Sequence, residues 1–161
     1  MSTSTITWGE LIKNQKLVDH LNQLLSNYFV MYVKLHRYHW YVQGRNFFQL
    51  HDVFEKMYKE FAVDYDALAE RIVMINGKPF ATMVKYLKET TLTEANADDT
   101  ESEMIAQLIK DYKQLIDEIR HKGMDYAAEL GDEPTMDILT DFQSKLEKHV
   151  WMLAAYQTTD R

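Results

Sequence analysis

From Leu17 onward the apolar residues recur at alternating intervals of four and three: Leu17, Leu21, Leu24, Tyr28, Met31, Leu35, Tyr38 and Val42. That spacing keeps one face of an α-helix apolar along its length. It predicts one long amphipathic helix that starts near Lys13 and stops before Gly44, a residue suited to ending helices. Phe54, Tyr58, Phe61, Tyr65, Leu68, Ile72 and Ile75 repeat the pattern, with Asn46 placed to cap a second helix and Gly77 and Pro79 to end it. Thr100 and Glu103 have the spacing of a capping box. They open a third stripe of Ile105, Leu108, Tyr112, Leu115 and Ile119, with Tyr126 later in the same phase and Gly131 as the stop. Asp132-Glu133-Pro134 is a helix start signal, and Leu139, Phe142, Leu146, His149, Leu153 and Tyr156 form the fourth stripe.

Residues 80–99 break the pattern. Thr82 to Glu89 predicts a short helix, and the acidic run Glu94 to Asp99 predicts a loop. Short turns join the first helix to the second and the third to the fourth, so each pair is an antiparallel hairpin. The middle connection, roughly 20 residues, exceeds an ordinary bundle loop. An all-α, four-helix bundle with one long crossover is the ferritin-like arrangement. The expected organisation is a short N-terminal segment, residues 1–12, and one bundle domain over residues 13–158.

Composition sharpens this reading. The chain has 161 residues, enough for one domain with a sizeable core, and only five glycines and two prolines to interrupt long helices. It has no cysteine, which removes disulfides, thiolate metal sites and cysteine nucleophiles. No apolar run approaches membrane-spanning length, and residues 1–7 lack the basic and apolar regions of a secretory signal. A soluble cytoplasmic protein is expected. The net charge of −7 opposes a whole-surface affinity for nucleic acid. Residues 1–12 carry no Lys or Arg, and the C-terminus offers only Arg161.

Candidate chemistry concentrates between His36 and Glu70. Asp66 and Glu70 are four apart and share a helix face, which by angle points away from that helix's own stripe. A solvated acidic face, with Asp64 and Arg71 nearby, is the plain reading; a metal-binding pair is the other. His39 flanks the core face of the first helix. His51 and Glu55 stand one turn apart near the start of the second, a spacing frequent by chance. Imidazole and carboxylate together suit iron, manganese or zinc. His51 and Asp66 lie fifteen residues apart on one straight helix, roughly 22 Å. They cannot share a metal within one chain. A second copy running antiparallel alongside would bring them together.

His39-Trp40-Tyr41-Val42-Gln43-Gly44, Asn46-Phe47-Phe48, Leu50-His51 and Asp66-x-Leu68-Ala69-Glu70-Arg71 together resemble the Dps family of ferritin-like mini-ferritins. Gly77-Lys78-Pro79 with Thr82, and His149-Val150-Trp151-Met152-Leu153, fit the same pattern, so the likeness covers nearly the whole chain. The resemblance implies a dodecameric shell with ferroxidase centres at two-fold interfaces. One subunit would supply His39 and His51, its neighbour Asp66 and Glu70, and Glu55 would stand as an additional acidic ligand. Trp40 would lie beside the centre, either taking up oxidising equivalents or serving as an interface aromatic. Asp132, Asp137 and Asp141, otherwise favourable charges near a helix N-terminus, would line the pore that admits Fe²⁺. His36 is expected to be structural and His149 a satisfied core histidine, and His20 and His121 have no constellation around them.

The resemblance thus implies an enzyme, a ferroxidase. It would oxidise Fe²⁺ with hydrogen peroxide or O₂, store the ferric mineral and protect DNA by removing both reagents. Two rival readings stand beside it: a protein that coats DNA directly, expected to bind weakly or not at all for want of a basic tail, and a purely structural helical assembly.

Overall fold

A computed structural model describes residues 5–96 and 99–158. Among these the chain is all-helical: α1 (Trp8–Tyr41), α2 (Phe47–Met74), α3 (Met83–Glu89), α4 (Glu101–Glu118), a π-helical turn (Ile119–Gly123), α5 (Met124–Glu129) and α6 (Glu133–Gln157). The long helices α1, α2, α4–α5 and α6 form the bundle, with α1 packed on α2 and α4 on α6 as two hairpins. The crossover carries α3, which packs on α1. The acidic loop is irregular over 93–96, and residues 97–98 lie outside the described residues, as do residues 1–4 and Arg161.

Every member of the first stripe, from Leu17 to Val42, is buried at the bundle centre. Each such side chain contributes about 1.5–3 kcal/mol when removed from water. The third stripe from Ile105 to Ile119 is equally buried, and Leu139, Phe142, Leu146 and Leu153 supply the fourth wall. The second stripe holds at Phe54, Phe61, Leu68 and Ile72, which are buried, and departs from the expectation at two positions between them. Met57 and Asp64 are buried, whereas Tyr58 and Tyr65 stand half-buried at the border. Asp64 is therefore no part of a solvated face; its Oδ1 meets Lys145 Nζ at 2.7 Å, and burial raises its pKa against that pairing.

Helix ends depart from the sequence reading in three places. α1 begins at Trp8 rather than near Lys13, because Thr7 and Glu10 form a capping box. Asn46 occupies the N-cap of α2 but makes no capping bond; its Nδ2 instead donates to Glu101 Oε1 at 2.9 Å, tying the start of α2 to that of α4. α2 ends at Met74 with Asn76 at positive φ, and Gly77 follows for want of space: a Cβ there would lie 2.8 Å from Ile72 and Val18 side chains. Thr82, Thr100 and Asp132 cap α3, α4 and α6 as expected.

Candidate metal centre

The last turn of α1 and the first turns of α2 bring His39 and His51 face to face. Their rings stack with centroids 3.6 Å apart and planes 14° from parallel. His39 Nδ1 lies 2.6 Å from the carbonyl oxygen of His51, and His51 Nδ1 lies 2.7 Å from that of His39. A carbonyl oxygen only accepts, so each Nδ1 carries its proton and donates. In the neutral ring the lone pair then sits on Nε2. Fixing one nitrogen of a histidine to a backbone carbonyl is how proteins orient imidazole for a metal. Phe47 stacks on the outer side of His51, centroids 5.0 Å apart.

Glu55 stands one turn after His51. Lys59 Nζ lies 3.1 Å from its Oε1 and Tyr58 Oη donates to it at 3.4 Å. The Lys59 hydrogen bond, then its charge, hold the Glu55 carboxyl below the usual range, with the nearby His39 acting in the same direction. Tyr58 also stacks on His36 (3.7 Å, 19°) and meets His39 edge-on (5.4 Å, 80°). His36 donates Nδ1–H to the Tyr32 carbonyl at 2.8 Å, and Trp40, 66 % exposed, tilts against its ring. Sequence reasoning placed Tyr58 in the core stripe and missed its ring contacts with His36 and His39. The spacing Tyr32, His36, Trp40, one ring per turn, was the available signal.

Asp66 and Glu70 are exposed on the far half of α2. They are not brought to His39 and His51: the intervening stretch of helix is roughly 22 Å. Among the described residues no three His, Asp or Glu side chains of one chain converge as a metal would need. Arg71, beside Glu70, turns to Asp132 at 2.7 Å and to the Thr135 hydroxyl at 2.9 Å. Asp132 also caps α6 through the Thr135 N–H at 3.1 Å, so two partners already hold its carboxylate. Asp137 is exposed, and Asp141 is exposed and pairs with Lys145 at 3.1 Å. His149 meets Glu60 Oε2 at 2.5 Å and is half-buried, the satisfied histidine expected of the fourth stripe.

Four long helices, one long crossover and inward stripes define a ferritin-like protein. The ferritin-like domain family matches residues 18–161. General stress protein 20U of Bacillus subtilis is 44% identical over 143 residues, 89% of this chain and 98% of that protein. DNA protection during starvation protein 2 of Bacillus anthracis is 42% identical over 143 residues, 89% and 97% of the two chains. The crystal structure of a Dps protein from Bacillus brevis superposes with a TM-score of 0.89 at 39% identity, covering 98% of this chain and all of that one. The chain belongs to the Dps family of ferritin-like proteins. No helix among the described residues is long and apolar enough to cross a membrane.

Proposed function

We propose that the protein is a ferroxidase and iron store that oxidises Fe²⁺ at centres shared between two copies of the chain. Membership of the ferritin-like Dps family supports iron storage and protection of DNA as its role. The observation that carries the finer reading is the His39–His51 pair, whose Nδ1 protons are both committed to backbone carbonyls, leaving both Nε2 atoms for a metal. Two imidazoles alone leave a site incomplete. Asp66 and Glu70 of a neighbouring copy, running antiparallel, supply the hard oxygen donors that favour the ferric product. Glu55 is the additional carboxylate, held close by Tyr58 and Lys59.

Iron is the substrate here. Two ferrous ions give one electron each to hydrogen peroxide, the O–O bond breaks, and two hydroxides form; O₂ is the alternative acceptor. Removing Fe²⁺ and peroxide together removes the reagents for hydroxyl radical, which protects DNA without contact. In this reading Trp40, exposed and next in sequence to His39, takes up stray oxidising equivalents. The ferric product collects inside a closed shell of copies, a dodecamer by family likeness, in the bacterial cytoplasm. Asp137 and Asp141, exposed near the start of α6, with Asp132 behind them, concentrate Fe²⁺ at its entry pore.

Direct coating of DNA is the weaker reading. The relatives' name speaks of DNA protection, but a net charge of −7 and no Lys or Arg before Lys13 leave little to neutralise phosphates. The deciding experiment is Fe²⁺ oxidation, with peroxide and with O₂, by wild type, His39→Ala and Asp66→Ala. Loss of the fast phase in both variants supports the reading, and equal rates in all three overturn it.

A further inference from the structure

At the end of the bundle opposite His39, a cleft of about 530 Å³ opens between α1, the crossover and the π turn. Its volume suits a small ligand. His20 and Tyr126 line it, with Phe80 as an apolar wall and Lys16, Lys85 and Lys122 contributed by three separate segments. The iron chemistry above uses none of these residues.

The π turn builds one wall. A π turn adds a residue to a helical turn and marks functional sites more often than chance. In an uninterrupted helix Tyr126 would return to the core seven residues after Ile119. The buried positions are instead Gly123, the last residue of the turn, and Ala127, and Tyr126 stands half-buried at the cleft, edge-on to His20 with centroids 6.0 Å apart. Gly123 permits the close approach: a Cβ there would lie 3.0 Å from His20 Nε2. His20 is 5 % exposed, and its Nε2 has no hydrogen-bond partner. Burial, and secondarily the charge of Lys122, lowers its pKa to about 4, so the ring is neutral at pH 7 and adds no charge to the cleft, where Lys16, Lys85 and Lys122 face Asp19 and Glu89.

The two carboxylates of the cleft are engaged. Glu89 pairs with Lys85 at 3.1 Å, and that ammonium also sits 4.7 Å over the Phe80 ring. Asp19 accepts from Gln15 at 2.6 Å. Among the described residues no ion pair uses Lys16 or Lys122. Two uncommitted ammonium groups thus flank a concave, partly aromatic cleft on a chain whose net charge is −7. Lysine binds phosphate as a compact point charge.

We propose that this cleft binds a phosphate group, free or as the terminal phosphate of a small organic monoester, between Lys16 and Lys122, with Phe80 and Tyr126 beside any organic part. The test is calorimetric titration of the iron-free, assembled protein with inorganic phosphate and with AMP, adenosine serving as the uncharged control. Saturable binding of phosphate or AMP, weakened at least about tenfold in Lys16→Ala/Lys122→Ala and in the single charge reversal Lys16→Glu, is the expected result. The exposed Lys88→Ala, outside the cleft, leaves it unchanged. No binding of either phosphate, adenosine binding as well as AMP, or wild-type affinity in the lysine variants would overturn the proposal. Each outcome is independent of whether iron is oxidised.

Discussion

His39 and His51 hold each other in place through their backbones: each ring donates Nδ1–H to the other residue's carbonyl, at 2.6 and 2.7 Å, while the rings stack at 3.6 Å. If His51 becomes Ala, His39 loses its stacking partner, while the carbonyl of residue 51, held within α2, still accepts its Nδ1–H. The single changes His39→Ala and His51→Ala each remove a proposed ligand and are expected to weaken Co²⁺ binding by more than the about 10–100-fold that loss of a ligand-orienting group costs. The double change is expected to cost much less than the product of the two, because interacting residues are not additive. Spectroscopic Co²⁺ titration of the four proteins in the cycle measures this.

A second pair lies in the core. Lys34 Nζ and Asp111 Oδ2 meet at 2.7 Å with side chains only 1 % and 3 % exposed, and Gln107 donates to the other Asp111 oxygen at 2.8 Å. Asp111→Ala strands a buried ammonium and is expected to destabilise the fold by about 3–5 kcal/mol. Lys34→Met/Asp111→Leu removes both charges and is expected to lie near wild type or above it. Chemical denaturation of both variants checks the contrast.

Much of this was legible in the residues, for reasons that also set the limit. The first stripe works because every fourth-or-third residue from Leu17 to Val42 faces one way, and all are buried. The T-x-x-E of Thr7 and Glu10 was equally visible, yet the absence of buried residues among the described positions before Leu17 hid the start of α1. The π turn was not legible. Its last residue, Gly123, lies close against His20 and Leu139, a contact between elements that no local spacing encodes. The types and spacing of His39, His51, Asp66 and Glu70 were visible as candidate ligands, but the carbonyl locks were not, because they depend on how α1 and α2 approach across the Val42–Asn46 turn.

His20 should leave a signature in acid. Its pKa in the folded protein is about 4 against an ordinary 6.5, so between these values the unfolded chain binds the proton and the folded one does not. Stability unaffected above pH 6.5 is therefore lost as pH falls towards 4, by up to roughly 3 kcal/mol, and the loss levels off below. The difference in unfolding free energy between wild type and His20→Gln, followed by denaturant titration across that range, is expected to change by this amount. A constant difference would show that His20 titrates alike in both states.

The two capping boxes provide a contrast in stability. Thr100 accepts from the Glu103 N–H at 3.3 Å at a helix start that leads directly into buried Met104 and Ile105. Thr100→Ala is expected to cost about 1 kcal/mol. Thr7 makes the same motif, but residues 8–13 after it are exposed, so fraying there uncovers no core. Thr7→Ala is expected to cost at most a few tenths of a kcal/mol. Thermal unfolding of the two variants separates them.

The sharpest prediction concerns where the halves of the metal centre come from. His39 and His51 sit at one end of α2, and Asp66 begins fifteen residues later on the same rigid helix, roughly 22 Å away. A chain without the histidines (His39→Ala/His51→Ala) and a chain without the acids (Asp66→Ala/Glu70→Ala) should each be inactive in Fe²⁺ oxidation. Co-expressed and mixed at random, about half of the two-fold pairs contain one of each. In such a pair one centre inherits intact histidines from one partner and intact acids from the other, while the second centre inherits neither. About a quarter of all centres, and of the wild-type rate, should return. A centre built within one chain would give no recovery from any mixture. Mixed particles verified by mass spectrometry that stay inactive would show that the histidines and acids do not meet across the two-fold.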